Sequence, residues 1–360
     1  MAQVRSWAGL DVHAAKVIAA TIDGESGELR FQRLSGSTRE VTAFCAGLPG
    51  PTRVAYEAGP TGFGLARELE EAGVGCVIAA PGKIARAPQD RVKTDRRDAE
   101  RLVRLLIAGE LHPVRVPTVP EEALRDLVRA REDLRGDLMR ARHRVGKLLL
   151  RHDQRFEGNN WTQAHRGWLA KVRLVDPVAQ MVLEDGIGMI DALLVRRDAL
   201  ERQMTALVPS SPWATEIARL RAMRGIDTLS ALGLCAEICD FHRFRRPGQL
   251  MSYLGLVPSE NTTGDRRRLG SITKSGSQHA RRLLVEAAWH YRRPPRLGRE
   301  LTRRQEDQPT HVRQISWQAQ RRLHRTWRRL DGERGKRRTI VAVAVARELA
   351  GFCWAITTAD

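Results

Sequence analysis

The pattern of apolar positions along this chain changes character twice, near residue 115 and near residue 210, and this suggests three regions: 1–115, 116–209 and 210–360. In the first, short runs either alternate or are uniformly apolar, which are the two strand patterns. Residues 6–23, SWAGLDVHAAKVIAATID, read as two short strands joined at a tight turn, and 28–36, ELRFQRLSG, as a third after the turn-forming DGESG. STREVTAFCAGL (37–48) opens on capping hydroxyls and reads as a helix. TRVAYEAG (52–59) is a fourth strand, GFGLARELEEAG (62–73) an amphipathic helix closed by glycine, and CVIAAP (76–81) a fifth strand suited to buried parallel pairing. A helix from about Asp95 to Glu110 ends the region. A three-strand meander followed by alternating helices and strands is the ribonuclease H-like arrangement. The competing assignment is a doubly wound sheet, and the antiparallel start argues against it.

In the second region the period lengthens. Leu124, Leu127, Leu134, Leu138, Ala141, Val145 and Leu148 keep a three-to-four spacing broken at Arg131, the seam of a coiled coil. The polar stretch RFEGNNW (155–161) interrupts it, and a second seam follows at Ile190, Leu193, Leu200, Met204 and Leu207, broken at Arg197. Such helices pair within one chain or between chains. The third region opens on SSP (210–212). MRGIDTLSALGLCAEICDF then reads as helix, glycine turn, helix. That is either a helix-hairpin-helix-like unit whose turn offers N–H groups to a phosphate, or a simple helical hairpin. Residues 253–291 place a polar, hydroxyl-rich loop between apolar segments. The expected fold is thus an α/β ribonuclease H-like domain, an all-α coiled-coil linker and a mostly α C-terminal domain.

Composition narrows the partners. Hydrophobic residues make up 42% of the 360 and the formal net charge is +19, so the chain folds and seeks a polyanion, nucleic acid first. From Tyr291 to Ile340 there are 16 Lys/Arg against 5 Asp/Glu, more than half of the excess. Five scattered cysteines argue for a reducing compartment, the cytoplasm, and against a disulfide scaffold. The N-terminal MAQVRSWAGLDVH carries no apolar signal core, and residues 339–356, apolar but containing Arg347 and Glu348, read as a buried helix rather than a membrane span. Cys235, Cys239 and His242 have metal-like spacing but no apparent fourth ligand, and small buried residues explain the cysteines better.

Four carboxylates stand out against this basic background. Asp11 lies in the first strand, on the opposite face from Leu10 and Val12, and Glu57 ends the fourth, opposite Tyr56. Both read as charges in apolar strands that need a cation or donors. Asp95 and Asp98 sit one turn apart at the start of a helix. In a ribonuclease H-like sheet the first and fourth strands are neighbours, so all four acids meet. Together they cannot all stay ionised without metal, and two Mg²⁺ ions suit oxygen ligands of this kind. Sugar kinases and other actin-like ATPases also open with an Asp in a first hairpin, but they need a glycine phosphate loop after it, and Val12 and His13 stand there instead.

The segments GLDVHAAK, YEAGPTGFG and KTDRRDAERL, followed by GLVPSENTTG and GSITKSGSQHARRLLVEAAW, resemble the DEDD transposases of insertion sequences related to the Piv invertase. The resemblance covers nearly the whole chain. It implies a RuvC-like first domain, a coiled-coil linker and a C-terminal transposase domain. It also implies that Asp11, Glu57, Asp95 and Asp98 hold the metals. The family's serine nucleophile precedes a glycine. Here that glycine is Gly264 and the residue before it is Thr263, a departure, because the threonine methyl crowds an in-line attack. Thr263 is then the nucleophile, or Thr262 or Ser259 replaces it, or this copy is impaired. The implied reaction is excision and insertion of a mobile DNA element through a hydroxyl-linked protein–DNA intermediate. A bridge RNA chooses the sites, and each active site is shared between subunits of a dimer or tetramer. An unguided invertase, a junction endonuclease and a noncatalytic nucleic-acid-binding protein are the alternatives.

The cations supply candidate contacts to nucleic acid. Arg266, Arg267, Arg268 and Lys274 flank the candidate hydroxyl, and Arg281 and Arg282 begin an amphipathic helix. Arg321, Arg322, Arg325, Arg328 and Arg329 surround Trp327, which either stacks on a base or belongs to the core.

Overall fold

Alternation within the first strand decides how the N-terminal sheet is covered. Ala8 and Leu10 point to one face and Gly9 and Asp11 to the other. The computed structural model describes residues 4–85, 94–263 and 268–359 and divides the chain into two units, one reaching Thr118 and one beginning at Val119. In the first unit, strands β1 (Ser6–Val12), β2 (Lys16–Asp23) and β3 (Leu29–Ser35) form an antiparallel meander. Strands β4 (Thr52–Glu57) and β5 (Gly75–Ala79) then extend β1 in parallel, giving the order β3-β2-β1-β4-β5. This is the hairpin-led mixed sheet that the sequence leads one to expect.

Helices α1 (Thr38–Ala46) and α2 (Gly64–Glu71) bury Val41, Cys45, Leu65 and Leu69 against Leu10, Val17, Val54 and Tyr56 on one face. Helix α3 (Asp95–Ala108) covers the other, packing Ala99 and Val103 against Ala20 and Ile22. Gly9 lies directly under it. A Cβ built there would stand 2.2 Å from the Ala99 carbonyl oxygen and 2.5 Å from the Val103 nitrogen. Thr94 caps the helix by accepting from the Arg97 N–H, and the Arg96 guanidinium lies 5.0 Å from the Phe31 ring centroid, tying the first turn to β3.

In the second unit, α4 (Val119–Arg151) and α6 (Pro177–Leu207) lie along one another. Leu134, Leu138, Ala141, Val145 and Leu148 meet Leu183, Ile190 and Leu193 in a separate apolar core. Arg131, which breaks the first seam, ion-pairs with Glu201 of the second helix at 2.5 Å, so the break is a matched polar position. Leu207, expected in the second seam, is exposed because the helix ends there. The polar stretch 155–161 is less polar in effect than its composition. Its Phe156 and Trp161 pack around His165 of an unexpected short helix, α5 (Gln163–Leu169), with ring centroids 5.1 and 5.0 Å away.

The largest core is built by α7 (Ala214–Arg221), α8 (Thr228–Ile238), α9 (Pro247–Tyr253), α10 (Gln278–Ala288), α12 (Thr310–Arg328) and α13 (Arg338–Thr358), with α11 (Arg299–Gln305) at its edge. Helix α13 is long and apolar enough to cross a membrane, yet Val341, Ala342, Val345, Leu349 and Cys353 are buried in this core. The hydroxyl-rich loop contains a small antiparallel pair, β6 (Pro258–Glu260) and β7 (Leu269–Ile272), that its polarity hides in the sequence.

A charged cluster joins α4, α8 and α10. Glu132 pairs with Arg135 and Arg282, and Glu237 pairs with Arg129 at 3.3 Å. His279 stands between the two acids, 3.6 Å from Glu132 and 3.5 Å from Glu237. Burial works against the Glu237 charge, but His279 and Arg129 outweigh it and hold its pKa at about 2, below the ordinary 4.5.

Two outcomes follow. Gly9→Ala forces α3 off the sheet and should lower the unfolding free energy by about 1–3 kcal/mol in denaturant titrations, with no comparable loss for Gly27→Ala in the open turn before β3. Glu237 has a depressed folded pKa, so its contribution is present above pH 4.5 and is lost as pH falls toward 2. Glu237→Gln should therefore cost up to about 3 kcal/mol at neutral pH, and the gap to the wild type should narrow across that acid window.

Candidate active site

The docking of α3 over Gly9 brings its first turns to the end of β1. Asp11 and Glu57 each lie one residue beyond the register pair Leu10–Tyr56, Asp11 next to last in β1 and Glu57 at the end of the adjacent parallel β4. Alternation puts both on the α3 face, because Leu10 and Tyr56 belong to the opposite core. Asp95 opens α3 and Asp98 sits one turn on. Asp11, Asp95 and His13 present ligand atoms that all lie within 4.8 Å of one another. His13 Nε2 is 3.2 Å from Asp11 Oδ2 and 3.9 Å from Asp95 Oδ1. Around an octahedral cation with bonds of about 2.1 Å, neighbouring ligand atoms stand about 3 Å apart and opposite ones about 4 Å. The donor set therefore fits a small divalent ion.

The electrostatics of the acids differ. Burial pushes the Asp11 carboxyl up, His13 opposes this, and the charges of Asp95 and Asp98 add to the rise. The Lys16 ammonium donates to Asp95 Oδ2 and holds that carboxyl below its usual range. Asp98 is the most buried of the three aspartates and accepts from Arg101 Nη1 at 2.7 Å. Glu57 is exposed at its strand end. The sequence reading of Glu57 as a buried charge is thus corrected, because it ends β4 exposed, whereas Asp11 lies within β1 and feels burial as expected. His13 and Lys16 were not read as members of this site. The signal for Lys16 was its place in β2, on the face of Ala20 and Ile22; His13 lies in the turn, where no periodicity speaks.

The candidate hydroxyls lie in the second unit, around β6. Ser259 donates to the Ser271 carbonyl and Thr262 to Glu260 Oε1 at 2.8 Å, whereas the exposed Thr263 engages no hydrogen bond among the described residues. Two glycines press this segment onto the end of α9. A Cβ on Gly255 would stand 2.3 Å from the Ser275 oxygen, and one on Gly276 2.1 Å from the Tyr253 oxygen.

The arginines separate into two groups. Arg266 and Arg267 lie outside the described residues, while Arg268 and Lys274 are exposed. Arg281 donates to the carbonyls of Leu254, Ser275 and Gly276, and Arg282 is bound by Glu132 and Glu286. Both guanidinium groups hold the protein together, because their helix begins where the chain turns back on α9 and α4. On α12, Arg321, Arg325, Arg328 and Arg329 are exposed, and Arg322 is paired with Glu348. Trp327 is a core residue, packed 5.3 Å from Trp289. The aromatic ring on the arginine face is Trp317, four residues before Arg321 and 39% exposed. Cys235 and Cys239 are buried, and Cys239 receives a hydrogen bond from Arg125, so their spacing reflects packing.

Comparisons with known proteins agree with this layout. A model of IS110-type DEDD transposases matches residues 8–152, and one described as the transposase IS116/IS110/IS902 family matches residues 217–302. The chain is 41% identical to "Putative transposase y4qE" of Sinorhizobium fredii, over 98% of this chain and 88% of that protein. It is 31% identical to the transposase for insertion sequence element IS1533 of Leptospira borgpetersenii, over 92% of this chain and 98% of that one.

Lys16 competes with any divalent ion for Asp95. Lys16→Met should raise Mn²⁺ or Mg²⁺ affinity on the order of three- to tenfold in titration calorimetry. Unchanged affinity would place the ion away from Asp95.

Proposed function

This chain belongs to the IS116/IS110/IS902 family of transposases, enzymes that cleave and rejoin DNA, and we propose that Asp11, Glu57, Asp95 and Asp98 form its metal-dependent catalytic centre. The observation that carries the reading is the meeting of Asp11 and Asp95, with His13, at the junction of β1 and α3. Mg²⁺ ions held by the four acids, two in number, would stabilise the charge on the attacking and leaving oxygens of a phosphodiester. The chain's own groups prepare that place. Lys16 and Arg101 pair with Asp95 and Asp98, the His13 ring lies beside Asp11, and Thr94 and Arg96 fix the helix that presents two of the acids.

The hydroxyl of Thr263 is the nucleophile in this reading. Its oxygen attacks a DNA phosphorus, a protein–DNA phosphodiester forms, and the 3′-oxygen leaves carrying the proton that the threonine gives up. Its exposure, and the lack of a side-chain hydrogen bond to another described residue, favour it over Ser259 and Thr262, each already donating to a protein oxygen. The domains of this reading are the RuvC-like domain (1–115), the coiled-coil linker (116–209) and the transposase domain (210–360). Exposed Val178, Met181, Val182 and Met189 give α6 an outer apolar stripe that suits pairing with a second copy, toward a dimer or tetramer. The arginine face of α12, with Trp317, suits phosphates and bases of DNA and of a bridge RNA that selects the sites.

The test has three readouts. Asp11→Asn and Asp98→Asn should each reduce strand cleavage of a supercoiled donor by roughly 10²–10³-fold or more. Thr263→Ala should abolish the metal-dependent covalent protein–DNA adduct, whereas Thr263→Ser should retain or improve it. RNA sequenced from protein purified with its native locus should be one dominant species from the element's non-coding flank. A heterogeneous mixture would remove the guide from this account and leave the cleavage chemistry intact.

A further inference from the structure

We propose that a cavity in the second unit, walled by Arg224, Arg296, Arg299 and Arg304, is a binding site for a phosphate group of a nucleic-acid strand. The cavity, about 490 Å³, lies between the turn joining α7 to α8 and the start of α11, and none of its lining residues belongs to the acid cluster or the hydroxyl hairpin. It rests on the reading above that this unit contacts nucleic acid.

The charge in the cavity is unbalanced. Four guanidinium groups face two carboxylates, Asp227 and Glu300. Asp227 caps α8 by accepting from the Ser230 N–H at 2.8 Å. Glu300 is mostly exposed, pairs with Arg303 at 3.1 Å and reaches Arg304 only at 4.0 Å. Among the described residues, no carboxylate pairs with Arg224, Arg296 or Arg299. His290 also lines the cavity, and burial, then the charges of Arg224, Arg293 and Arg304, lower its pKa against the opposing Asp227.

Two of the cations are fixed rather than mobile. Arg224 Nη1 donates to the carbonyls of Arg293 and Pro294, the latter at 2.8 Å, and Arg304 Nη1 donates to the Ile226 carbonyl. Carbonyl oxygens orient a guanidinium without neutralising it, so the positive field is preorganised. The Arg304 Nε is buried and has no hydrogen-bond acceptor among the described residues. A buried N–H left unsatisfied is costly, and an anion oxygen would satisfy it. The α8 N-terminus adds its positive end to the same space. Gly225 holds the turn in place. Its φ is +83°, and a Cβ there would stand 2.7 Å from the Ala287 oxygen. Arg296 and Arg299 stand at the cavity as forks matched to phosphate oxygens.

The phosphate belongs either to the continuous backbone or to a strand end, and the experiment separates these sources. The full-length protein is treated with phenylglyoxal, which modifies accessible arginines, and modification is mapped by mass spectrometry. The additions are a short oligonucleotide with a 5′-hydroxyl, the same strand with a 5′-phosphate, and inorganic phosphate. Protection of Arg296 and Arg299 by both strands assigns the site to backbone phosphate; protection by the phosphorylated strand alone assigns it to a terminus. Arg296→Ala/Arg299→Ala should in parallel weaken oligonucleotide binding three- to tenfold and make it less steep in salt. Protection on α12 at Arg321 and Arg325 without any at the cavity overturns this inference and leaves the nucleic-acid reading standing. Protection by inorganic phosphate alone marks an adventitious anion and also overturns it. No protection at either place overturns both.

Discussion

The missing side chain at Gly9 is the constraint from which the acid cluster follows. With only hydrogen on its Cα, β1 admits the backbone of α3 to a distance that no other residue allows. That contact fixes the height of the helix over the sheet. Its N-terminus then falls at the end of β1, and Asp95 comes beside Asp11 and His13. The strand register does the same for Glu57, since β1 and β4 pair in parallel with Leu10 opposite Tyr56. Carboxylates from three elements are therefore placed by one close approach and one ladder, with Lys16 and Arg101 pairing to two of them. Buried apolar residues on the far face make the arrangement stiff, because sliding β1 by one residue would send Asp11 into that core and Leu10 under the helix.

Much of this was legible from the chain because period and chemistry agree. The strands alternate, the helices carry caps, and the acids fall where the alternation changes from apolar to charged. What stayed hidden was short or locally polar. Helix α5 has seven residues and follows a stretch of Gly, Asn and Asn, and the β6–β7 pair is made of polar residues with no apolar alternation to announce it. His13 was invisible as a site member because it lies in a turn whose geometry sequence spacing does not give, and Lys16 was signalled only by its face of β2. Arginines were the least readable of all. Arg281 and Arg282 look like Arg321 and Arg325 in composition, but two are bound by carbonyls and carboxylates of their own chain and two face outward. Trp327 and Trp317 differ likewise, and only the buried face of α12 tells them apart.

Helix α4 belongs to two cores at once. Val128 near its start is buried in the large C-terminal core, while Leu134 to Leu149 build the separate core with α6. Where these stretches meet lie Arg129, Arg131, Glu132 and, one turn on, Arg135, all in ion pairs to other segments or to one another. Such pairs add little net stability compared with apolar packing, but they penalise misregister strongly, since a shifted helix would leave half-buried charges without partners.

The same reasoning explains why a chain with a net charge of +19 keeps a cluster of acids. A DNA-cleaving site needs negative charge to gather metal ions but must not repel the phosphates it acts on. In this chain the Lys16 ammonium stands against Asp95 and the Arg101 guanidinium against Asp98, so two of the four carboxylates are paired before any ion arrives. Lys16 and His13 are each about half exposed in their side chains, so both leave at small cost, whereas Arg101 is largely buried. The groups most easily displaced are therefore those beside Asp11 and Asp95, whose ligand atoms lie within 4.8 Å of one another. In the proposed reading, exchange of the Lys16 ammonium for a divalent ion would add positive charge at the point where a phosphodiester would approach.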